Sequence, residues 1–109
     1  MRSEEWTKSE KAAARRAFDL ALDREYAKLA GEVRDRAGRI AGPDDIWRLH
    51  DFLTKRRKEI DEKYDYRYSM LVWVFARLVN EGRIGIADLE GLGEKKLAEI
   101  RMMTEIGRR

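Results

Sequence analysis

The chain has 109 residues, enough for one domain with a modest core. Charged residues make up 41% of it, against roughly 25% in an average domain. The 24 Lys and Arg alternate with 21 Asp and Glu to leave a net charge of only +3, which reads as solvated helix surface and argues against a polyanion-binding protein. Cysteine is absent and histidine occurs once, at His50, so disulfides, thiol nucleophiles and histidine-rich metal sites are excluded.

The mixed charges of Met1 to Glu5 lead into no apolar stretch, so no secretory signal is read. The longest apolar run, residues 70–76, is too short to span a bilayer. A cytoplasmic protein without membrane contact is the expectation.

From about Ser3 to Ile40 the only breakers are Gly31 and Gly38. Phe18, Leu22, Tyr26, Leu29, Val33, Ala37 and Ile40 recur at steps of three or four, the spacing of one helix face. Ala, Arg, Lys and Glu fill the rest and favour helix. This predicts an amphipathic helix of roughly 30 residues, about 45 Å long.

Gly42 and Pro43 form the clearest break. A second helix is predicted to start at Pro43, with Asp44 and Asp45 at the positive end of its dipole. Ile46, Leu49, Leu53, Ile60, Tyr64, Leu71, Phe75 and Leu78 carry its stripe toward Gly82, a C-terminal cap. That second helix is about 35 residues and 50 Å. A short helix near residues 86–89, a Gly91-Leu92-Gly93 turn and a helix from about Glu94 to Glu105 complete the chain.

The expected architecture is therefore all-α. Two long helices form an extended hairpin over residues 1–82, and residues 83–109 form a small helical head. Such a hairpin carries more apolar stripe than one neighbour can bury, so an elongated homodimer is expected.

Trp47, His50 and Asp51 lie at i, i+3 and i+4 and share one helix face. Arg57 is too far along to reach Asp51 within the same helix, but could reach that of a symmetry-related chain. Trp and Arg are common interface anchors, so this face reads as a seam for dimerisation and partner binding. Its plain alternative is an amphipathic helix whose Trp and His reach out from the core edge. His50 and Asp51 diverge by about 100° as helix neighbours, and no Ser or Cys nucleophile or phosphate loop accompanies them, so no enzyme activity is expected. Asp61, Glu62 and Asp65 lie among Arg56, Arg57, Lys58, Lys63 and Arg67, which suggests ion pairs and no metal site. The segment from Leu89 to Ile100 resembles a helix-hairpin-helix, whose Gly-x-Gly turn offers N–H groups to a nucleic-acid phosphate, with Lys95 and Lys96 beside it. A Gly-rich turn bracing any short helix looks the same. Nucleic-acid binding is thus a minor reading.

The string Trp47-Arg48-Leu49-His50-Asp51-Phe52-Leu53, then Lys58-Glu59-Ile60-Asp61, Lys63-Tyr64-Asp65 and Val74-Phe75-Ala76, resembles the fluorescence recovery protein family. The family pattern is Trp-x-Leu-His-Asp-Phe-Leu, an Arg six residues after that Asp, then Glu-Ile-Asp-x-Lys-Tyr-Asp and Val-Phe-Ala. Arg57 stands in the matching place. Trp6, Phe18, Glu25, Leu29, Val33, Ala37 and Ile40 also fall where the family has the same or similar residues. The resemblance covers roughly residues 6–100.

It implies an elongated all-α homodimer that binds no pigment or other cofactor. Its partner would be the photoactivated orange carotenoid protein, whose return to the orange form it would accelerate, helping it leave the phycobilisome. It implies that Trp47, His50, Asp51 and Arg57 form the dimer seam and activity patch, and that Trp73 and Glu99 lie in the client-contacting head. Two positions depart from the pattern. Trp73 replaces a Phe, and Glu99 stands where a cyanobacterial member has Lys. A charge reversal at a contact alters partner choice. Relatives in bacteria without phycobilisomes have an unknown client, and this chain could belong with them.

Overall fold

The computed structural model describes residues 5–108. Four α-helices and one 3₁₀ turn follow in order: α1 (Lys8–Gly38), α2 (Pro43–Lys63), α3 (Leu71–Asn80), the 3₁₀ turn (Ile86–Leu89) and α4 (Glu94–Gly107). The described residues contain no strand, so the all-α expectation holds. The molecule is elongated, 57 × 30 × 25 Å.

The expected start of the first helix at Ser3 lies outside the described residues. α1 starts behind Thr7, whose hydroxyl accepts from the Glu10 N–H at 3.1 Å while the Thr7 N–H donates to the Glu10 carboxylate at 3.0 Å. It ends just before the turn at Gly42 and Pro43. Asp45 reaches back from the first turn of α2 to accept from the Ala41 N–H at 2.9 Å, which closes that corner.

The second long helix differs from expectation. It stops at Lys63, and residues 64–70 cross to α3 without regular helix. Tyr64, Tyr66 and Tyr68 alternate along this crossing. Tyr64 and Tyr66 set their edges against Phe18, with ring centroids 5.4 and 4.7 Å away, and Tyr68 lies 5.4 Å from Trp6. A helix would spread three such rings around its circumference, whereas an extended segment lines them along α1. Asp65 accepts from the Arg67 N–H at 3.2 Å and turns the chain toward α3.

The predicted cap at Gly82 is present. Gly82 has φ of +78°, its N–H donates to Val79 and the Arg83 N–H donates to Leu78, the two bonds of a Schellman ending on α3.

The core lies at one end of the molecule. The first half of α1 presents Ala13, Ala14, Ala17 and Ala21, all buried, beside Trp6 and Phe18. These small side chains let α3 and the 3₁₀ turn approach closely, so Leu71, Phe75, Leu78, Leu89 and Ile100 are fully buried. The head therefore draws on both ends of the chain, across the expected boundary at residue 82. Beyond Glu25, α1 has no buried residue and α2 buries only Ile60 and Lys63, so the stalk these two helices form buries little.

Gly91 seals the head. Its φ is +108°, and a Cβ there would sit 2.8 Å from the Ala13 Cβ. Gly91→Ala combines backbone strain with a clash and is expected to cost about 2–4 kcal/mol, read from the urea midpoint. A cost below about 0.5 kcal/mol would contradict this packing.

Candidate partner-binding surfaces

The stalk is zipped on one side by charge. Arg36 stacks over the Phe52 ring at 3.8 Å, and Arg56 pairs with Glu32 and Glu25. The apolar stripe lies elsewhere and finds no cover. Tyr26 is 50% exposed, Ile46 49% and Trp47 63%, while Leu29, Val33, Leu49 and Leu53 are half-buried. Tyr26, Leu29, Leu53, Arg57, Ile60 and Asp61 line a shallow groove across the two helices.

The sequence-predicted seam residues all face solvent on this stalk. The Trp47 and His50 rings meet edge to face, 6.1 Å apart. His50 Nδ1 lies 3.4 Å from Asp51 Oδ1, so these neighbours do not diverge as expected; exposed rotamers fold toward each other. Arg57 does not reach Asp51 within the chain. It lies 3.9 Å from Asp61, and both side chains are well exposed. An exposed pair of this kind contributes little to stability, so the guanidinium is available to a partner.

A second surface lies on the head. Trp73, Ala76, Arg77 and Asn80 on α3 face Met103, Ile106 and Gly107 on α4 across a groove. Trp73 is 60% exposed and Ile106 57%, so two large apolar side chains of this groove stand open to solvent. Asn80 donates to the Thr104 carbonyl at 3.2 Å and accepts from Arg108 at 3.1 Å, fixing the groove's end. Glu99 is half-buried one turn before Met103 on the same helix face. Met103 and Ile106 escaped the sequence reading, although Ile106 follows Glu99 at seven residues, the spacing of one face.

The Gly91-Leu92-Gly93 turn is already committed. The Gly93 N–H donates to Glu10 Oε2 at 2.8 Å, and Lys96 Nζ donates to Glu10 Oε1 at 3.1 Å and to the Glu5 carbonyl at 2.9 Å. Burial alone would raise the Glu10 pKa, but the Thr7 and Gly93 amides and Lys96 outweigh it and hold this carboxyl below its ordinary value. An internal anion thus occupies the place a phosphate would take, which supports the bracing role of this turn.

Where α1, α2 and the head meet, one carboxylate is shut in. The Glu25 side chain is 2% exposed and lies 2.8 Å from Lys63 Nζ, 3.1 Å from Arg83 Nε and 3.5 Å from Arg56. The Tyr64 hydroxyl donates to it at 2.9 Å. Lys63 also binds Glu81 at 2.6 Å. Burial and the neighbouring Glu25 push the Tyr64 phenol up, so it stays a donor. The sequence signal was a lone acid between Leu22 and Leu29 on the apolar stripe. Among the described residues no cluster has the acids or histidine to hold a metal ion, and no helix is long and apolar enough to cross a membrane.

Known proteins resemble this chain in sequence and in fold. The family model described as photoprotection regulator fluorescence recovery protein matches residues 6–104. The chain is 38% identical over 101 residues to the Fluorescence recovery protein of Synechocystis sp. PCC 6803, with 93% of each covered. It resembles the solved Fremyella diplosiphon Fluorescence Recovery Protein with a TM-score of 0.87 and 44% identity, over 93% of this chain and 99% of that one. The solved Synechocystis protein gives a TM-score of 0.87 and 38% identity over the same shares.

Proposed function

We propose that this chain, which belongs to the fluorescence recovery protein family of photoprotection regulators, works as a homodimer that binds the photoactivated orange carotenoid protein and speeds its return to the orange form. The observation that carries this reading is the uncovered apolar stripe of the stalk, with Trp47 63% exposed and Arg57 free of strong partners. A second copy packed on that stripe would bury Tyr26, Leu53 and Trp47 and bring Arg57 toward the partner's carboxylates. The head groove around Trp73 and Ile106 would then remain open to a client at each end.

The protein acts by binding and makes no bond. It accelerates a conformational return if it binds the path between the two client states, or the product-like state, better than the red state. Two heads on one rigid dimer hold client domains close and raise their effective concentration.

The test is the dark recovery rate of photoactivated orange carotenoid protein with and without an equal amount of this protein. Clear acceleration is expected. Arg57→Leu is expected to reduce it about tenfold or more, the scale of a lost interface anchor. No acceleration by a folded dimer would mean a different client. In that case Glu99, acidic where a cyanobacterial relative carries Lys, is the first place to look for the changed specificity.

A further inference from the structure

We infer that Glu25 is a positioning residue, the latch that holds α2 against α1 and the head and so fixes where the α2 seam stands relative to the head groove. This rests on the proposed reading that both surfaces meet partners.

α1 runs unbroken through stalk and head, so it ties the two rigidly. Within one chain, α2 is the element least held by burial. It buries only Ile60 and Lys63, and it hangs between the tight corner before Pro43 and the non-helical crossing at residues 64–70. What holds it is mostly polar. Glu25 alone gathers Arg56 and Lys63 from α2, Tyr64 from the crossing and Arg83 from the turn after α3. An apolar contact tolerates sliding, whereas a carboxylate with these partners is satisfied in only one arrangement.

Most of the head core stands apart from this latch. Leu71, Phe75, Leu78 and Ile100 belong to one cluster with Ala13, Ala14 and Ala17, while Tyr64 of the latch packs on the edge of that core against Phe18. Opening the latch should therefore loosen α2, which keeps its Arg56–Glu32 and Lys63–Glu81 pairs, and leave the head folded.

The chain has no cysteine, so two spin labels can be placed cleanly at Lys55→Cys on α2 and Arg101→Cys on α4, both exposed positions. Labelled protein diluted with unlabelled reports the distance within one chain. Glu25→Gln, close in size but uncharged, is expected to broaden that distance distribution about twofold as a second orientation becomes populated. Far-UV circular dichroism should change little. Acceleration of client recovery should fall about tenfold if one molecule in ten stays competent. Arg83→Met removes a single partner of Glu25 and should shift both readouts in the same direction by less, which keeps the test valid if Glu25→Gln fails to fold.

Unchanged distributions in both variants overturn the inference. A broadened distribution with full acceleration overturns the positioning role. If the wild-type protein accelerates nothing, the proposed client is wrong, and the distance measurement still decides the latch.

Discussion

Phe75→Ala is expected to remove about 3–5 kcal/mol of folding stability, measured as a fall in the urea midpoint at fixed protein concentration. Phe75 is fully buried at the centre of the head among Leu71, Leu78, Ile84 and Ile100. The loss combines the transfer of a large ring with the cavity it leaves. The alanine face of α1 sits on a continuous helix and has no long side chains to swing into the gap. A domain of this size holds about 5–15 kcal/mol in total, so the variant loses a large share of its stability and should unfold at clearly lower urea. Trp73→Ala, two residues earlier and 60% exposed, is the matched control. It should change stability by no more than about 0.5 kcal/mol while weakening client binding. Equal stability losses at the two positions would mean that the inside and outside of α3 have been misread.

Glu25→Ala is the second large effect. It leaves Lys63 and Arg83, 8% and 16% exposed, without their shared counter-ion. Breaking such a cluster costs about 3–5 kcal/mol, and the lower end applies because Lys63 keeps Glu81. The loss should fall on the local opening of α2 and not on the head. Amide hydrogen exchange resolves the two, with faster exchange in α2 and near-native protection in α3. Uniformly faster exchange in both helices would show that stalk and head open together.

The same carboxylate sets an acid limit. Burial by itself raises the pKa of Glu25, but hydrogen bonds from Lys63 and Tyr64 and the charges of Lys63 and Arg83 outweigh it and leave it lowered. Glu81 is lowered in the same way, by Lys63 and Arg77 against its burial. A group whose folded pKa is depressed contributes its full stability above the unfolded value, about 4.3 for Glu, and loses it as pH falls through the folded value. The hold on α2 should therefore be flat near neutrality and weaken below about pH 4.3. In Glu25→Ala that acid-dependent weakening should shrink to the part owed to Glu81 and to Glu32, whose carboxyl Arg56 of α2 and Lys28 hold low against its burial.

Much of this was legible in the chain. Apolar steps of three and four over Phe18, Leu22 and Leu29 reported the first helix, because helical periodicity is a local property of the backbone. Gly42 with Pro43 reported the corner, and Gly82 the end of α3, since each acts through its own conformational limits. The Trp47 to Leu53 string identified the family without any contact being known. The break at residues 64–70 was misread because Ile60, Tyr64 and Leu71 also fit helical spacing. Only the alternation of Tyr64, Tyr66 and Tyr68 opposed it, and its meaning depends on Phe18 and Trp6 lying alongside.

The sequence alone thus determined helix type, the corner at Gly42 and Pro43 and the exclusion of cysteine chemistry. Only the tertiary structure decided that the first half of α1 belongs to the head, that Met103 and Ile106 join Trp73 in one groove, and that Glu25 meets Arg56, Lys63, Tyr64 and Arg83. Periodicity reports a residue's direction from its own helix axis. It carries no information on what stands opposite, which is set by the packing of segments up to 91 residues apart, as in the bond from Lys96 to the Glu5 carbonyl.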